Sequence, residues 1–164
     1  MINNLAEFKN DDIFIDANVF IYFFRLHSGY SNVCQQFFLN LVDGKFKGFT
    51  TSFVIEETAY ILLIRAIADD FNNHPIEVIR ENPEVVGKYT DTLHKAINSI
   101  FSMDDLTVLD IPAELFYSMI DGMQLGLLTR DALYLAVMDQ NHIQNIASFD
   151  TDFDRVGYIT RWGI

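Results

Sequence analysis

The sequence predicts an α/β fold, in the form of a three-layered sandwich around a mostly parallel central sheet. Short apolar runs, typical of buried strands, alternate with longer helical patterns along the 164 residues. Half of the residues are apolar and 14% are aromatic, which is sufficient for a core of normal size. Strands that alternate with helices favour parallel pairing, and the length is that of a single domain over residues 1–164.

The first part of the chain predicts two strands, each followed by a helix. Apolar runs define the strands, and capping residues mark where the longer helices begin. Asp16 directly follows the first strand. The predicted elements are a strand over 13–15, a helix over 19–24, a helix over 31–42 capped by Ser31 or Asn32, a strand over 49–50, and a helix over 54–68 capped by Thr51 or Ser52.

An enlarged helical excursion is predicted around residues 69–101. Residues 69–82 are polar, which indicates an exposed segment without a regular pattern. Asn82 and Pro83 are a typical cap and first-turn pair, so a helix is expected from there to about Phe101.

The last part of the chain predicts further strands and helices in alternation. They are a strand over 107–109, a helix opened by Asp110 and Pro112 and ended by Gly126, a helix from the cap Thr129 to about Asp139, a strand over 146–149 and a short strand over 158–160. Ligands of such sheets bind at the carboxyl ends of the strands. Asp16 and Asp150 both follow strand-like runs, so we expect both at that edge.

The charge balance excludes several classes of protein. Lys and Arg number 11 against 23 Asp and Glu, a net charge of −12, so neither an overall basic footprint for nucleic acid nor a polybasic membrane anchor is present. Apolar stretches are far shorter than the roughly 20 residues that span a bilayer, and the first residues lack the apolar core of a signal peptide. Cys34 is the single cysteine, so no internal disulfide can form. We expect a reduced, cytoplasmic location without membrane contact.

Four acidic residues stand where an unpaired charge is costly. Asp16 and Asp150 follow predicted strands, whereas Glu57 and Asp131 lie on apolar faces of predicted helices. Each alone has an ordinary structural role, such as a helix cap for Asp16 or a favourable first-turn acid for Asp131. Together they predict a carboxylate cluster, which stays ionised only with cations, and oxygen ligands select Mg²⁺ or Mn²⁺. Such a site suits two-metal hydrolysis of a phosphodiester bond.

Two further choices stay open on spacing alone. Glu56 and Glu57 are neighbours on one helix, and the apolar surroundings of Glu57 favour it only slightly as the inward-facing acid. Arg130 and Arg155 are candidate contacts for a substrate phosphate, and pairing with the acidic cluster is the equal alternative.

Four segments follow one another in a recognisable order. The first is a strand ending in Asp-x-Asn, the second a helix with a glutamate, the third an aspartate followed by Ala and apolar residues, and the fourth a small hydroxyl residue before Asp, with Phe three positions later. They are Ile13–Val19, Thr50–Thr58, Thr129–Ala136 and Ile146–Phe153. In this order the segments resemble the motifs of the PIN-domain nucleases, and only residues 69–95 fit no part of that pattern.

The resemblance implies a PIN-like fold and a divalent-metal-dependent ribonuclease that cleaves RNA with Mg²⁺ or Mn²⁺. Its alignment selects Glu57, with Glu56 as a replacement, and it leaves Asp152 as a replacement for Asp150. Many members are toxins of toxin–antitoxin pairs, so an antitoxin or another protein partner is expected, as is a homodimer. The implied metal ligands are Asp16, Glu57, Asp131 and Asp150, and Asn18 and Ser148 would orient ligands or water by hydrogen bonds.

Two other functions compete with a ribonuclease. One is a catalytically inert PIN-like binding subunit, whose partner would cover the dense aromatics of residues 20–24 and 37–38, although core packing is the simpler role for these. The other is an aspartate-nucleophile phosphatase. Such enzymes also begin with a strand and an aspartate, but as Asp-x-Asp, and this chain has Asn18 at the third position.

Overall fold

The computed structural model describes residues 3–25 and 29–164, which build a central sheet of six strands. The strand order is β1-β6-β5-β2-β3-β4, and each neighbouring pair is parallel. The predicted α/β fold with a parallel sheet is therefore confirmed. The strands are β1 (Asn3–Asn4), β2 (Asp12–Ile15), β3 (Lys47–Thr51), β4 (Leu106–Leu109), β5 (Asn145–Ala147) and β6 (Thr160–Gly163).

Helices connect the strands and flank the sheet. The α-helices of the described ranges are α1 (Ala17–Phe24), α2 (Ser31–Val42), α3 (Ser52–Asp70), α4 (Pro75–Glu81), α5 (Thr90–Phe101), α6 (Leu115–Gly122) and α7 (Thr129–Gln140). Short 3₁₀ helices cover Leu5–Glu7, Pro83–Tyr89, Met123–Leu125 and Thr151–Arg155. In the part of the chain that the structure describes, no helix is long and apolar enough to cross a membrane.

The two faces of β2 show how the layers pack. Phe14 contacts Tyr134 of α7, with 5.5 Å between the ring centroids. Ile15 points to the opposite face, because side chains alternate along a strand. There a Cβ added at Gly48 of β3 would lie 2.9 Å from Ile15 Cδ1 and 3.2 Å from Leu41 Cδ1 of α2. Helices α7 and α2 therefore cover opposite faces of the sheet, and Gly48 leaves the space that α2 needs.

The helical excursion is more regular than the sequence predicts. Residues 69–82 contain α4, which Pro75 opens and His74 caps through a hydrogen bond from the Ile76 amide to Nδ1 (3.3 Å). The single helix expected after Pro83 is divided into the 3₁₀ helix Pro83–Tyr89 and α5. The excursion folds back on the second half of α3, where a separate apolar cluster forms. Its buried members are Ile67, Val78, Val85 and Tyr89.

Capping predictions succeed for one helix and fail for two. Thr51 caps α3, since its Oγ1 accepts a hydrogen bond from the Val54 amide (3.4 Å). Ser31 is the first residue inside α2 and not its cap, because its hydroxyl donates to the Arg25 carbonyl (2.7 Å). Thr129 is likewise the first residue of α7, and no side chain caps that helix.

Two element boundaries in the last part of the chain also shift. Helix α6 begins at Leu115, later than Asp110 and Pro112 predict, and Gly126 ends the following 3₁₀ turn in a left-handed conformation (φ +83°). The last strand covers Thr160–Gly163, which pairs with β5 through residues 145–147, so the expected start at residue 158 is wrong.

Candidate functional site

Asp16 lies at the carboxyl end of β2 and is only 6% exposed. Its Oδ1 accepts a hydrogen bond from the Ala17 amide (2.6 Å), which caps α1. Its Oδ2 accepts two more, from Asn18 Nδ2 (2.6 Å) and Ser148 Oγ (2.7 Å). Burial raises the pKa of Asp16 to about 7; the hydrogen bonds oppose this rise, and the charges of nearby carboxylates add to it. Asp16 is therefore a buried acid that the protein holds in one position.

Ser148 joins the ends of β2 and β5. It is fully buried, and its hydroxyl donates to Asp16 while accepting hydrogen bonds from Asn18 Nδ2 (3.1 Å) and the Asp150 amide (3.0 Å). These contacts use the one donor and two acceptor positions of the hydroxyl. Asn18 Oδ1 accepts from the Phe149 amide (3.2 Å), which fixes the orientation of the Asn18 side chain. Asn18 and Ser148 thus both contact Asp16, one of the four metal ligands that the family resemblance implies.

Glu57 faces the same edge from α3, whereas its neighbour Glu56 is exposed. Glu57 Oε2 accepts a hydrogen bond from the hydroxyl of buried Tyr134 (3.0 Å), and Oε1 pairs with Arg130 Nη1 at 2.9 Å. Both partners belong to α7. The ion pair lies near the surface, since 45% of the Arg130 side chain and 25% of the Glu57 side chain are exposed. The structure therefore distinguishes the two adjacent glutamates that spacing left open.

Asp131 connects these acids electrostatically. It lies half-buried in the first turn of α7, and burial raises its pKa to about 6, with the charges of Asp150 and Glu57 next in importance. Asp131 and Glu57 in turn raise the pKa of Asp16. Asp131 thus links the four predicted acids, since it interacts electrostatically with Asp16, Glu57 and Asp150. We call Asp16, Glu57, Asp131 and Asp150 the acid network.

The segment after β5 contains both candidates for the fourth acid. Asp150 caps the 3₁₀ helix Thr151–Arg155, and its Oδ1 accepts a hydrogen bond from the Asp152 amide (2.9 Å). Asp152 pairs with Arg155, with 2.8 Å between Oδ1 and Nη2. Both aspartates raise the pKa of Asp131, and Asp150 does so more strongly. Asp150 is therefore the more closely coupled of the two, and Asp152 is engaged by an arginine.

Both candidate substrate arginines pair with acids in this structure. Arg130 contacts Glu57, and Arg155 contacts Asp152 while its Nη1 donates to the Gly126 carbonyl (2.7 Å). Of the two alternatives for these residues, pairing with the acidic cluster is the one that the structure shows.

Arg161 is a site residue that sequence reasoning missed. Its side chain is 7% exposed, and Nε and Nη2 bind both carboxylate oxygens of Asp154 at 2.7 and 2.9 Å. Nη1 donates to the Ser148 carbonyl (3.1 Å), so Arg161 fastens the segment that holds Ser148 and Asp150. A Cβ at Gly163 would lie 2.8 Å from the Ser148 carbonyl oxygen and 2.6 Å from Nη1, so a glycine is needed here because the backbone oxygen cannot move aside. Nothing in the spacing of the sequence indicates these contacts.

The donor atoms of the acid network are of the type that binds divalent cations. They are carboxylate oxygens, which Mg²⁺ and Mn²⁺ prefer, and their mutual repulsion is what a cation would relieve. Within residues 3–25 and 29–164, however, no three acidic, histidine or cysteine side chains are placed to hold an ion as they stand. Arg130 and Tyr134 engage the two oxygens of Glu57 in this arrangement.

The fold and the acid network define a PIN-like α/β protein. The family model of the PIN domain matches residues 13–158, so the chain belongs to the PIN domain family. The match includes every member of the acid network. A search of curated protein sequences gave no match.

Two solved structures share the fold over most of the chain. VapC20 from Mycobacterium tuberculosis, a toxin that cleaves the sarcin–ricin loop, is 18% identical, with a TM-score of 0.61 over 90% of this chain and 96% of its own. VapBC2 from Rickettsia felis, solved with a DNA fragment from its promoter, is 13% identical, with a TM-score of 0.58 over 93% of this chain and 98% of its own. At these identities the similarity establishes the fold.

Proposed function

We propose that this protein is a divalent-metal-dependent endoribonuclease that hydrolyses RNA phosphodiester bonds. The acid network is the observation that carries the proposal: its four carboxylates come from β2, α3, α7 and the end of β5 to the carboxyl edge of the sheet. Besides burial, the charges of Glu57 and Asp131 raise the pKa of Asp16, and those of Asp150 and Glu57 raise the pKa of Asp131. Membership of the PIN domain family supports the same chemistry. In an open parallel sheet this edge is also the usual place for a ligand.

The residues of the acid network would hold Mg²⁺ or Mn²⁺. Bound divalent ions supply an activated water and stabilise the leaving oxygen in phosphodiester hydrolysis. Ser148 and Asn18 fix the carboxylate of Asp16, and Arg161 fixes the segment that positions Asp150. Cleavage in this mode leaves 3′-hydroxyl and 5′-phosphate ends.

We also propose that the nuclease is the toxin of a toxin–antitoxin pair. The VapC20 and VapBC2 structures, one of a toxin and one named for a two-component complex, support this role. A protein partner or a second copy of the chain is further supported by large apolar side chains that α6 and the segment after it expose to solvent. These are Phe116, Tyr117, Ile120, Met123, Leu125 and Leu128.

Cleavage of a panel of single-stranded RNAs with Mn²⁺ tests the nuclease proposal. We expect the wild type to cleave and Asp16→Asn to lose at least about 100-fold in rate, because even the partners of metal ligands contribute about 10- to 100-fold. Asp110→Asn is the matched control, since Asp110 is an exposed acid at the end of β4, the edge strand that β3 separates from β2. Equal cleavage by wild type and Asp16→Asn would refute the assignment.

Thermal unfolding with and without metal is the second measurement. Millimolar Mn²⁺ or Mg²⁺ should raise the Tm of the wild type, because the ion binds only the folded state. A protein that shows neither a Tm shift nor cleavage, yet binds a protein partner, would instead be an inert PIN-like subunit.

A further inference from the structure

Three aromatic rings lie beside the acid network. Tyr30 stacks on Phe149 with 4.8 Å between centroids and an angle of 27°. Tyr22 completes the group, 5.0 Å from Tyr30 and 5.4 Å, edge to face, from Phe149. We call Tyr22, Tyr30 and Phe149 the aromatic cluster.

The backbone joins the aromatic cluster to the site. Phe149 lies between Ser148, which donates to Asp16, and Asp150 of the acid network. The Phe149 amide donates to Asn18 Oδ1 (3.2 Å), and Asn18 in turn contacts Asp16. The backbone of Phe149 is therefore held by the same hydrogen-bond network that holds Asp16.

The aromatic cluster is open to solvent. Tyr30 is 39% exposed, and Tyr22 and Phe149 are half-buried. Tyr30 occupies the cap position of α2, where its side chain makes no capping hydrogen bond. The Tyr30 ring is therefore not required to begin α2, and part of its surface is accessible to a ligand.

We propose that the aromatic cluster binds an unpaired base of single-stranded RNA, next to the phosphodiester bond that is hydrolysed at the acid network. This inference rests on the proposed ribonuclease function and names the subsite that captures its substrate. Aromatic rings stack on any base and need no positive charge. The net charge of the chain is −12, and three arginines around the acid network, Arg130, Arg155 and Arg161, are all paired with acids. Stacking would thus hold RNA where these arginines do not offer a free charge to its phosphates.

Binding of fluorescein-labelled single-stranded RNA, measured by anisotropy with Mn²⁺ in the Asp16→Asn background, tests the subsite. Tyr30→Leu should weaken binding about 5- to 100-fold, the usual effect of losing one stacked base. Tyr30→Phe keeps the ring and should bind like the parent. Phe101→Leu removes an exposed aromatic ring from the end of α5 and is the matched surface control.

A second arm identifies the partner of the ring. A series of oligonucleotides, each with one abasic position, is tested against both proteins. For one of these positions the parent should bind as weakly as Tyr30→Leu, because the stacked base is missing. The affinity should also depend only shallowly on salt, with a log–log slope below about 2 in magnitude, since each neutralised phosphate of a single strand adds about 0.7.

The outcomes separate this inference from the proposed function. Undiminished binding by Tyr30→Leu, no effect of any abasic position, or no RNA binding by the parent would each overturn the stacking subsite. Cleavage by the wild type decides the nuclease proposal independently. RNA cleavage without an effect of Tyr30→Leu would leave the nuclease standing and remove the subsite alone.

Discussion

The acid network has two halves that hold negative charge in different ways. The strand-end half is Asp16 and Asp150, which follow β2 and β5, and the helix half is Glu57 and Asp131, which lie on α3 and α7. In the strand-end half, neutral donors surround Asp16, and the carboxylate is buried with them. In the helix half, Glu57 pairs with the cation of Arg130 near the surface. Neutral donors fix a carboxylate without cancelling its charge, whereas an exposed cation cancels charge and can leave. The first half is therefore a fixed anchor, and the second is exchangeable.

Energetics support this distinction. Hydrogen bonds to an ionised carboxylate are strong at the 2.6 to 2.7 Å seen around Asp16. A solvent-exposed ion pair, by contrast, contributes only about 0.2–1 kcal/mol. A metal ion that enters the site would thus displace Arg130 at little cost, while the contacts of Asp16 stay in place.

The largest expected effect concerns pH and Asp16. Because the folded pKa values of Asp16 (about 7) and Asp131 (about 6) exceed the usual value near 3.8, ionising these groups costs stability. Without metal, the free energy of unfolding should fall as the pH rises from about 4 to about 7. Asp16→Asn should remove a large part of that fall, on the order of a few kcal/mol at about 1.4 kcal/mol per pH unit.

Urea unfolding in a chelator, from about pH 4 to about pH 8, measures this effect. Saturating Mn²⁺ should flatten the wild-type profile, since the cation favours the ionised acids. Parallel profiles for wild type and Asp16→Asn would mean that the buried anchor does not exist as described, and the comparison between the two halves would fail.

The next effect concerns Ser148. Ser148→Ala removes the donor to Asp16 and the acceptor of the Asp150 amide, so it should lower the free energy of unfolding by about 1–3 kcal/mol. RNA cleavage should fall by about 10- to 100-fold, the usual effect of losing a partner of a metal ligand. Ser118→Ala, at an exposed position of α6, is the matched control. A loss of stability without a loss of cleavage would show that Ser148 has no part in orienting the acids.

The smallest expected effect concerns Arg130, which pairs with Glu57 in the helix half. Arg130→Gln should change the free energy of unfolding by less than about 1 kcal/mol, since the pair is solvent-exposed. The apparent affinity for Mn²⁺, from the metal dependence of Tm, should rise by about two- to fivefold, because the ion no longer competes with the arginine. Arg65→Gln, at an exposed position further along α3, is the control. Weaker metal binding in Arg130→Gln would mean that Arg130 supports the site and does not compete for it.

Local patterns predict the parts of this fold that depend on local physics. The apolar run before Asp16 forms β2 because such runs are buried between two helical layers, and Thr51 caps α3 because its hydroxyl reaches the third following amide. The four acids were recognisable for the same reason, since each follows a strand or stands on an apolar helical face.

Contacts between distant parts of the chain were not predictable. Ser31 and Thr129 are good capping residues, yet each is the first residue inside its helix, and Ser31 donates to the Arg25 carbonyl instead. The pairing of Glu57 with Arg130 and Tyr134 joins α3 to α7, and the contact of Arg161 with Ser148 joins β6 to the segment after β5. Spacing along the sequence carries no information on such pairs.

The hydrogen bonds of Asp16 have a consequence for the choice of ion. A carboxylate offers about four lone pairs. Ala17, Asn18 and Ser148 occupy three of them, which leaves a single free position on Oδ1. Asp16 can therefore act only as a monodentate ligand. Ca²⁺ sites take six to eight oxygens and often chelate both oxygens of a carboxylate, whereas Mg²⁺ keeps a strict octahedron of single oxygens. If the acid network holds a cation as proposed, Asp16 would therefore favour Mg²⁺ over Ca²⁺.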